Sequence, residues 1–245
     1  MTERSSFLVV ICCVSITMNN RGDLMETIKN RQCFIHGKKQ AKYLLIQPID
    51  EHDLEAMEEE IETINKTTKD YLLVGILVNE WQKELSPWFM PAIFGNQDFT
   101  GGADLFYQEV KEVIKEVKVL YAMQDANVII GGYSLAGLFA LYAAYQDEYD
   151  GVVGASPSVW FKDFLSYTQA HPIQTQYVYL SLGDKEEKAR NKIMASVGDC
   201  LRTYQSYLQN ETHCVLEMNP GNHFKDTGIR VGKGFSWIIQ NLNHA

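Results

Sequence analysis

Two glycine-flanked segments carry residue types that could do covalent chemistry together. The first is Val128-Ile-Ile-Gly-Gly-Tyr-Ser-Leu-Ala-Gly-Leu-Phe139, where an apolar, strand-like run leads through Gly131-Gly132 to Ser134 and then into a strongly apolar stretch. A serine hydroxyl becomes a useful nucleophile only when a base removes its proton and donors stabilise the resulting oxyanion. A tight turn between a strand and a helix supplies part of this, because it exposes the hydroxyl at a helix N-terminus. Small neighbours let such a strained turn fit, and Gly132 and Ala136 are small. Ala136 stands where the G-x-S-x-G pattern has its second glycine. In this reading Ser134 is the nucleophile and the amide of Leu135 faces the developing oxyanion. A turn with an incidental serine is the bland alternative.

The second segment is Asn219-Pro-Gly-Asn-His-Phe224, turn-rich and near the end of the chain. When the serine lies on a strand-to-helix turn, the acid and then the histidine follow it along the chain. That order removes His36 and His52. His171 precedes the acid-bearing stretch, His213 opens a strand and His244 is terminal. His223 remains as the general base. The acid should follow the strand-like Tyr177-Val-Tyr-Leu-Ser-Leu182, where Gly183-Asp-Lys-Glu-Glu187 offers three carboxylates. Its work is to hold the imidazole tautomer and stabilise the imidazolium, which Asp or Glu can do. Glu186 fits the G-x-x-[DE] spacing; Asp184 and Glu187 stay open, as does a Ser-His pair with no strong acid.

These residues need a scaffold that delivers them to one place, and the periodicity supplies it. Strands are expected at Lys42–Pro48, Tyr71–Val78, Val128–Ile130, Val152-Val153, Tyr177–Leu182 and Cys214–Met218. Helices are expected over Asp50–Lys66, Ala103–Val119, Leu135–Tyr145, Lys188–Leu208 and Gly234–Leu242. Strands alternating with helices imply right-handed crossovers and a mostly parallel sheet with helices on both faces, a three-layer α/β/α fold. No repeat or linker-like tract interrupts the pattern, so residues 1–245 are read as a single domain.

A formal net charge of -9 disfavours nucleic acid and anionic membranes as partners and mildly favours neutral substrates. Cys12, Cys13, Cys33, Cys200 and Cys214 show no C-x-x-C spacing, so reduced structural thiols in a cytoplasmic protein are expected, with no metal site. The apolar run Phe7–Met18 is too short to span a membrane and rich in β-branched residues. It reads as a strand, with a signal peptide as the alternative.

With these residues assembled, the chain resembles the esterase family of α/β-hydrolases that includes esterase D (S-formylglutathione hydrolase) and the enterochelin-type siderophore esterases. The resemblance covers roughly residues 40–243. It rests on Gly132-Tyr-Ser-Leu-Ala-Gly-Leu-Phe139, Ala155-Ser-Pro-Ser-Val-Trp160, Gly183-Asp-Lys-Glu186 and Gly221-Asn-His223. Glu84-Leu-Ser-Pro-Trp88 is similar to the stretch where that family builds its second oxyanion donor. By position, the donor would be the backbone amide of Asn79, Glu80 or Trp81.

The resemblance implies an α/β-hydrolase fold and hydrolysis of a small carboxylic ester or thioester through an acyl-enzyme, with no metal or organic cofactor. Trp81, Trp88 and Trp160, with Phe89, Phe94 and Phe161, fall in segments expected to border the substrate pocket. No obvious cationic cluster adjoins Ser134 in sequence, which disfavours a trianionic ferric siderophore and leaves a small neutral ester as the expectation. Two alternatives share the fold: an acyltransferase on the same Ser-His site, and a non-catalytic binding protein, which the presence of both Ser134 and His223 disfavours. A thiol hydrolase is excluded because no cysteine occupies the turn.

Overall fold

A computed structural model describes residues 16–18 and 24–244. Of the run Phe7–Met18, only the last three residues are among these, as strand β1 (Ile16–Met18). The rest of that run, with Cys12, Cys13 and the signal-peptide alternative, lies outside the described residues.

Strands β2 (Leu24–Ile28) and β3 (Arg31–Gly37) form an antiparallel hairpin whose turn residues Lys29 and Asn30 both have positive φ, 50° and 66°. Two such residues between strands match the right-handed twist of a two-residue hairpin loop. The alternating part follows: β4 (Tyr43–Ile49), helix α1 (Glu51–Asn65), β5 (Tyr71–Leu77), a short α2 (Trp81–Glu84) and the two-residue strands β6 (Phe89–Met90) and β7 (Phe99–Thr100). Next come α3 (Ala103–Leu120), β8 (Asn127–Tyr133), α4 (Ser134–Gln146), β9 (Gly151–Ala155), α5 (Phe164–Ala170) and β10 (Tyr177–Gly183). The chain ends with α6 (Lys192–Ala195), α7 (Val197–Leu208), β11 (His213–Asn219) and α8 (Thr227–Leu242).

Nine strands form one sheet in the order β1-β2-β3-β5-β4-β8-β9-β10-β11. The pairs from β5 to β11 are parallel, whereas the N-terminal strands pair antiparallel. This is a mostly parallel sheet with helices on both faces, as the alternating pattern implied. The hairpin was not predicted, because its residues mix polar and apolar without a clean period.

Side chains alternate between two cores. Leu44 and Ile46 of β4 pack with α3, α4 and α7, while Tyr43, Leu45 and Ile49 pack with α1 and α8. Helices on both faces bury the central strands completely, which is why β4 and β10 have no exposed residue. Helix α4 is buried from Leu135 to Tyr145, consistent with apolar residues all round it.

Two helix boundaries differ from expectation. The stretch read as one helix over Lys188–Leu208 is a 3-10 turn at Glu186–Lys188 followed by α6 and α7. Asn191 caps α6 by accepting from the amides of Ile193 and Met194, which restarts the chain direction. Helix α8 begins at Thr227, about two turns before the expected Gly234. Its glycines allow close packing on α1: a Cβ at Gly228 would lie 2.1 Å from the carbonyl oxygen of Ala56. No helix among the described residues is long and apolar enough to cross a membrane.

Candidate active site

The parallel strands end on one side of the sheet, and three loops there carry the residues singled out above. Ser134 is the first residue of α4, directly after β8, with φ +55°. A left-handed conformation in a non-glycine residue is strained by roughly 1–2 kcal/mol. The turn persists because its surroundings leave no alternative. A Cβ at Gly132 would lie 2.5 Å from the carbonyl carbon of Ala136, so only glycine lets the strand meet the helix this closely. The carbonyl of Ser134 also accepts from the amide of Ser158 at 3.0 Å.

His223 comes from the loop between β11 and α8. Its Nε2 lies 2.9 Å from Ser134 Oγ and its Nδ1 lies 2.7 Å from Glu186 Oε2. Glu186 sits in the 3-10 turn after β10 and is 6% exposed. Its other oxygen, Oε1, accepts from the amide of Gly183 at 2.8 Å, Ser156 Oγ at 2.7 Å and Arg230 Nη1 at 3.0 Å. Burial alone would raise this carboxyl, but hydrogen bonds from His223, Ser156 and Gly183, with the charge of the imidazole, hold it below the usual carboxylate range.

The neighbouring carboxylates do other work. Asp184 Oδ1 accepts from the amide of Gly221 at 2.8 Å, tying the β10 and β11 loops together. Glu187 turns away to an ion pair with Arg202. Of the three acids left open by spacing, Glu186 is the one within reach of the imidazole.

Ser134, Leu135, Glu186 and His223 line a cavity of about 590 Å³. Trp81, Phe94, Phe99, Trp160, Met194 and Val197 make its wall largely apolar. Phe224, 84% exposed, stands at its rim edge-on to the His223 ring. Lys185 and Lys188 also line it. The turn carrying Glu186 brings these two lysines to the cavity from about 50 residues away in sequence, so the absence of a cationic cluster beside Ser134 in the sequence does not extend to the cavity wall.

Leu135 is the second residue of α4, where its amide has no intrahelical acceptor. Trp81 lies in the same situation at the start of α2, on the cavity wall with Gln82. Asn79 does not suit an oxyanion donor, because its amide is committed to Glu84 Oε2 at 3.1 Å and it lines a separate pocket beside Arg31. Glu80 precedes α2, pairs with Lys83 at 2.6 Å and is not among the cavity-lining residues.

Trp88 is also displaced from its expected place. Its indole donates to the carbonyl of Lys162 at 2.7 Å, and its ring packs on Tyr142, Phe161 and Tyr167. It braces the cavity wall from behind, as does Phe161, which is buried.

Sequence reasoning missed Ser156, Arg230 and Tyr133 as partners of this cluster. Ser156 and Ser158 lie in the Ala155–Trp160 segment quoted for the family resemblance, and the structure gives that segment a physical reason: it contacts the acid and the serine turn together. Among the described residues, no group of histidines, cysteines and carboxylates could hold a metal ion.

No family model matches the chain. A siderophore enterobactin esterase from Emericella nidulans is 30% identical over 174 residues, covering 59% of this chain and 57% of that protein. The match therefore spans a little over half of the relative's length. An IroE-like serine hydrolase from Shewanella oneidensis superposes with a TM-score of 0.71 at 13% identity, over 93% of this chain and 80% of that one. The siderophore hydrolase EstB from Aspergillus nidulans gives 0.60 at 15% identity, over 96% of both chains. The enterobactin esterase FES from Shigella flexneri gives 0.63 at 16% identity, over 94% of this chain and 59% of that one. These structures show an α/β serine-hydrolase fold, and the curated relative supports the esterase family of α/β-hydrolases named from the motifs.

Proposed function

We propose that the chain is a serine esterase that cleaves a carboxylic ester or thioester through an acyl-enzyme on Ser134. The carrying observation is the continuous relay Ser134–His223–Glu186 at 2.9 and 2.7 Å, opening into the cavity. With Nδ1–H donating to Glu186, Nε2 is free to accept the Ser134 proton as Oγ attacks the carbonyl carbon. The amides of Leu135 and Trp81 stabilise the oxyanion of the tetrahedral intermediate, with the α4 dipole behind the first of them. His223 then protonates the departing alcohol or thiol, and water repeats the cycle on the acyl-enzyme. Every proton in this scheme moves between Ser134, His223, the leaving group and water, so the chain's own residues suffice.

Trp81 and Trp160 supply flat apolar surface for an acyl or aryl group. Lys185 and Lys188 on the cavity wall favour a substrate with an acidic substituent. An anionic aryl ester thus replaces the small neutral ester as the preferred substrate. A single domain in a cytoplasmic setting is part of this proposal, supported by one continuous sheet and by unpaired thiols at Cys33, Cys200 and Cys214.

The test is release of p-nitrophenol from acetate and butyrate esters by wild type and Ser134→Ala. The proposal expects turnover by wild type and none by the folded variant. Equal rates in the two proteins contradict it.

A further inference from the structure

Arg230 lies in the first turn of α8 and is wholly buried, 0% exposed. A buried guanidinium is costly unless its donors are satisfied, and the partners it finds are informative. Nη1, with two hydrogens, lies within hydrogen-bond distance of three acceptors: Glu186 Oε1 at 3.0 Å, Ser156 Oγ at 3.1 Å and the Tyr133 hydroxyl at 2.9 Å. Nη2 donates to the carbonyls of Asn222 at 3.0 Å and Pro220 at 3.4 Å. Tyr133 in turn donates to the carbonyl of His223 at 2.8 Å. One planar side chain therefore grips the carboxylate that faces the imidazole, the loop that carries the imidazole and the end of the strand that carries the serine. A lysine, with one nitrogen, has no fork to reach these acceptors together.

We propose that Arg230 is the positioning residue of this site: it fixes Glu186 and the His223 loop in register and neutralises part of the Glu186 charge. The proposal rests on the esterase reading above. It carries an electrostatic consequence. The charged and titratable groups facing the imidazole are Glu186 from the β10 loop, Tyr133 and Ser134 from β8 and α4, Lys185 and Lys188 across the cavity, and Arg230 beneath Glu186. Lys225 and Asp226 on its own loop sit 3.9 Å apart and offset each other. Removing Arg230 leaves the Glu186 charge without its cationic partner against the imidazole, which favours the imidazolium and delays loss of its proton to higher pH.

The test compares wild type, Arg230→Met and Arg230→Lys by kcat, KM and pH profile on p-nitrophenyl butyrate. It is paired with an NMR titration of the His223 ring and observation of its hydrogen-bonded Nδ1 proton. Arg230→Met is expected to lose about 10²-fold in kcat, with KM within about twofold and the acidic limb moved to higher pH. Arg230→Lys keeps the charge, so the limb stays in place while kcat recovers only in part. A folded Arg230→Met with the wild-type kcat and acidic limb overturns the proposal, and so does a rise in KM alone. If Arg230→Met does not fold, Arg230→Lys decides, and a wild-type kcat there overturns it. If wild type itself hydrolyses no ester, the esterase reading fails. The NMR data then judge Arg230 separately: the positioning role predicts a raised titration midpoint in Arg230→Met and a weakened Nδ1 proton signal in Arg230→Lys, and unchanged spectra overturn it.

Discussion

At the scale of single residues, the cluster works by making each group unable to do anything else. Ser134 is held at φ +55° by the close approach of Gly132 to α4, so its hydroxyl stands toward His223 rather than folding onto its own helix. Glu186 accepts four hydrogen bonds through two oxygens, one of them shared with the imidazole, and stays ionised in spite of its burial. Glu186→Gln should keep the packing but lose control of the tautomer, and kcat is expected to fall by about 10³–10⁴-fold. Asp184→Asn should act through the loop bond to Gly221, giving a smaller loss in kcat and a lower thermal midpoint. Steady-state kinetics with thermal melts separates the two, and the reverse ranking would exchange the roles assigned to these acids. The serine and histidine were legible from chain order and turn residues alone. The acid was legible only as a choice among Asp184, Glu186 and Glu187, because spacing locates the turn and not the direction of each side chain.

At the scale of elements, the helices hide what their composition obscures. The last helix was expected only from Gly234, so the first turn of α8, which carries Arg230, was not visible in the sequence. In the same way, the turn after β10 brings Lys185 and Lys188 to the cavity that Ser134 lines, a placement that no linear pattern encodes. The packing of α8 on α1 also buries Glu60, 2% exposed, whose Oε1 has no hydrogen-bond partner among the described residues. Burial, followed by the charge of Asp53, pushes this carboxyl well above its ordinary range. A carboxyl raised in the folded state holds its proton there, so the stability it contributes is present at low pH and declines as pH rises past the unfolded value. Glu60→Gln removes that dependence. Its thermal midpoint relative to wild type should therefore rise between about pH 5 and about pH 8, as differential scanning fluorimetry can show. A constant difference across that range would mean that Glu60 is ionised in the fold.

At the scale of the whole molecule, alternating strands and helices were enough to predict the layered sheet, since that pattern allows few topologies. The antiparallel hairpin of β2 and β3 escaped because one of its faces meets α3 while the other carries mixed polarity. Charge shows the same contrast between global and local. The net charge of -9 repels anions at a distance, whereas Lys185 and Lys188 attract them at the cavity. Replacing both lysines by alanine should lower kcat/KM for carboxylate-bearing aryl esters more than for their neutral isosteres. The gap should narrow as salt shortens the Debye length from about 10 Å at 0.1 M. An equal effect on both substrate classes would assign the lysines to the fold alone. The account as a whole stands on Ser134 as the nucleophile, and the most direct measurement is a fluorophosphonate adduct located by peptide mass spectrometry. Labelling confined to Ser134 and lost in His223→Ala is the predicted result; an unlabelled protein, or an adduct on another residue, would contradict it.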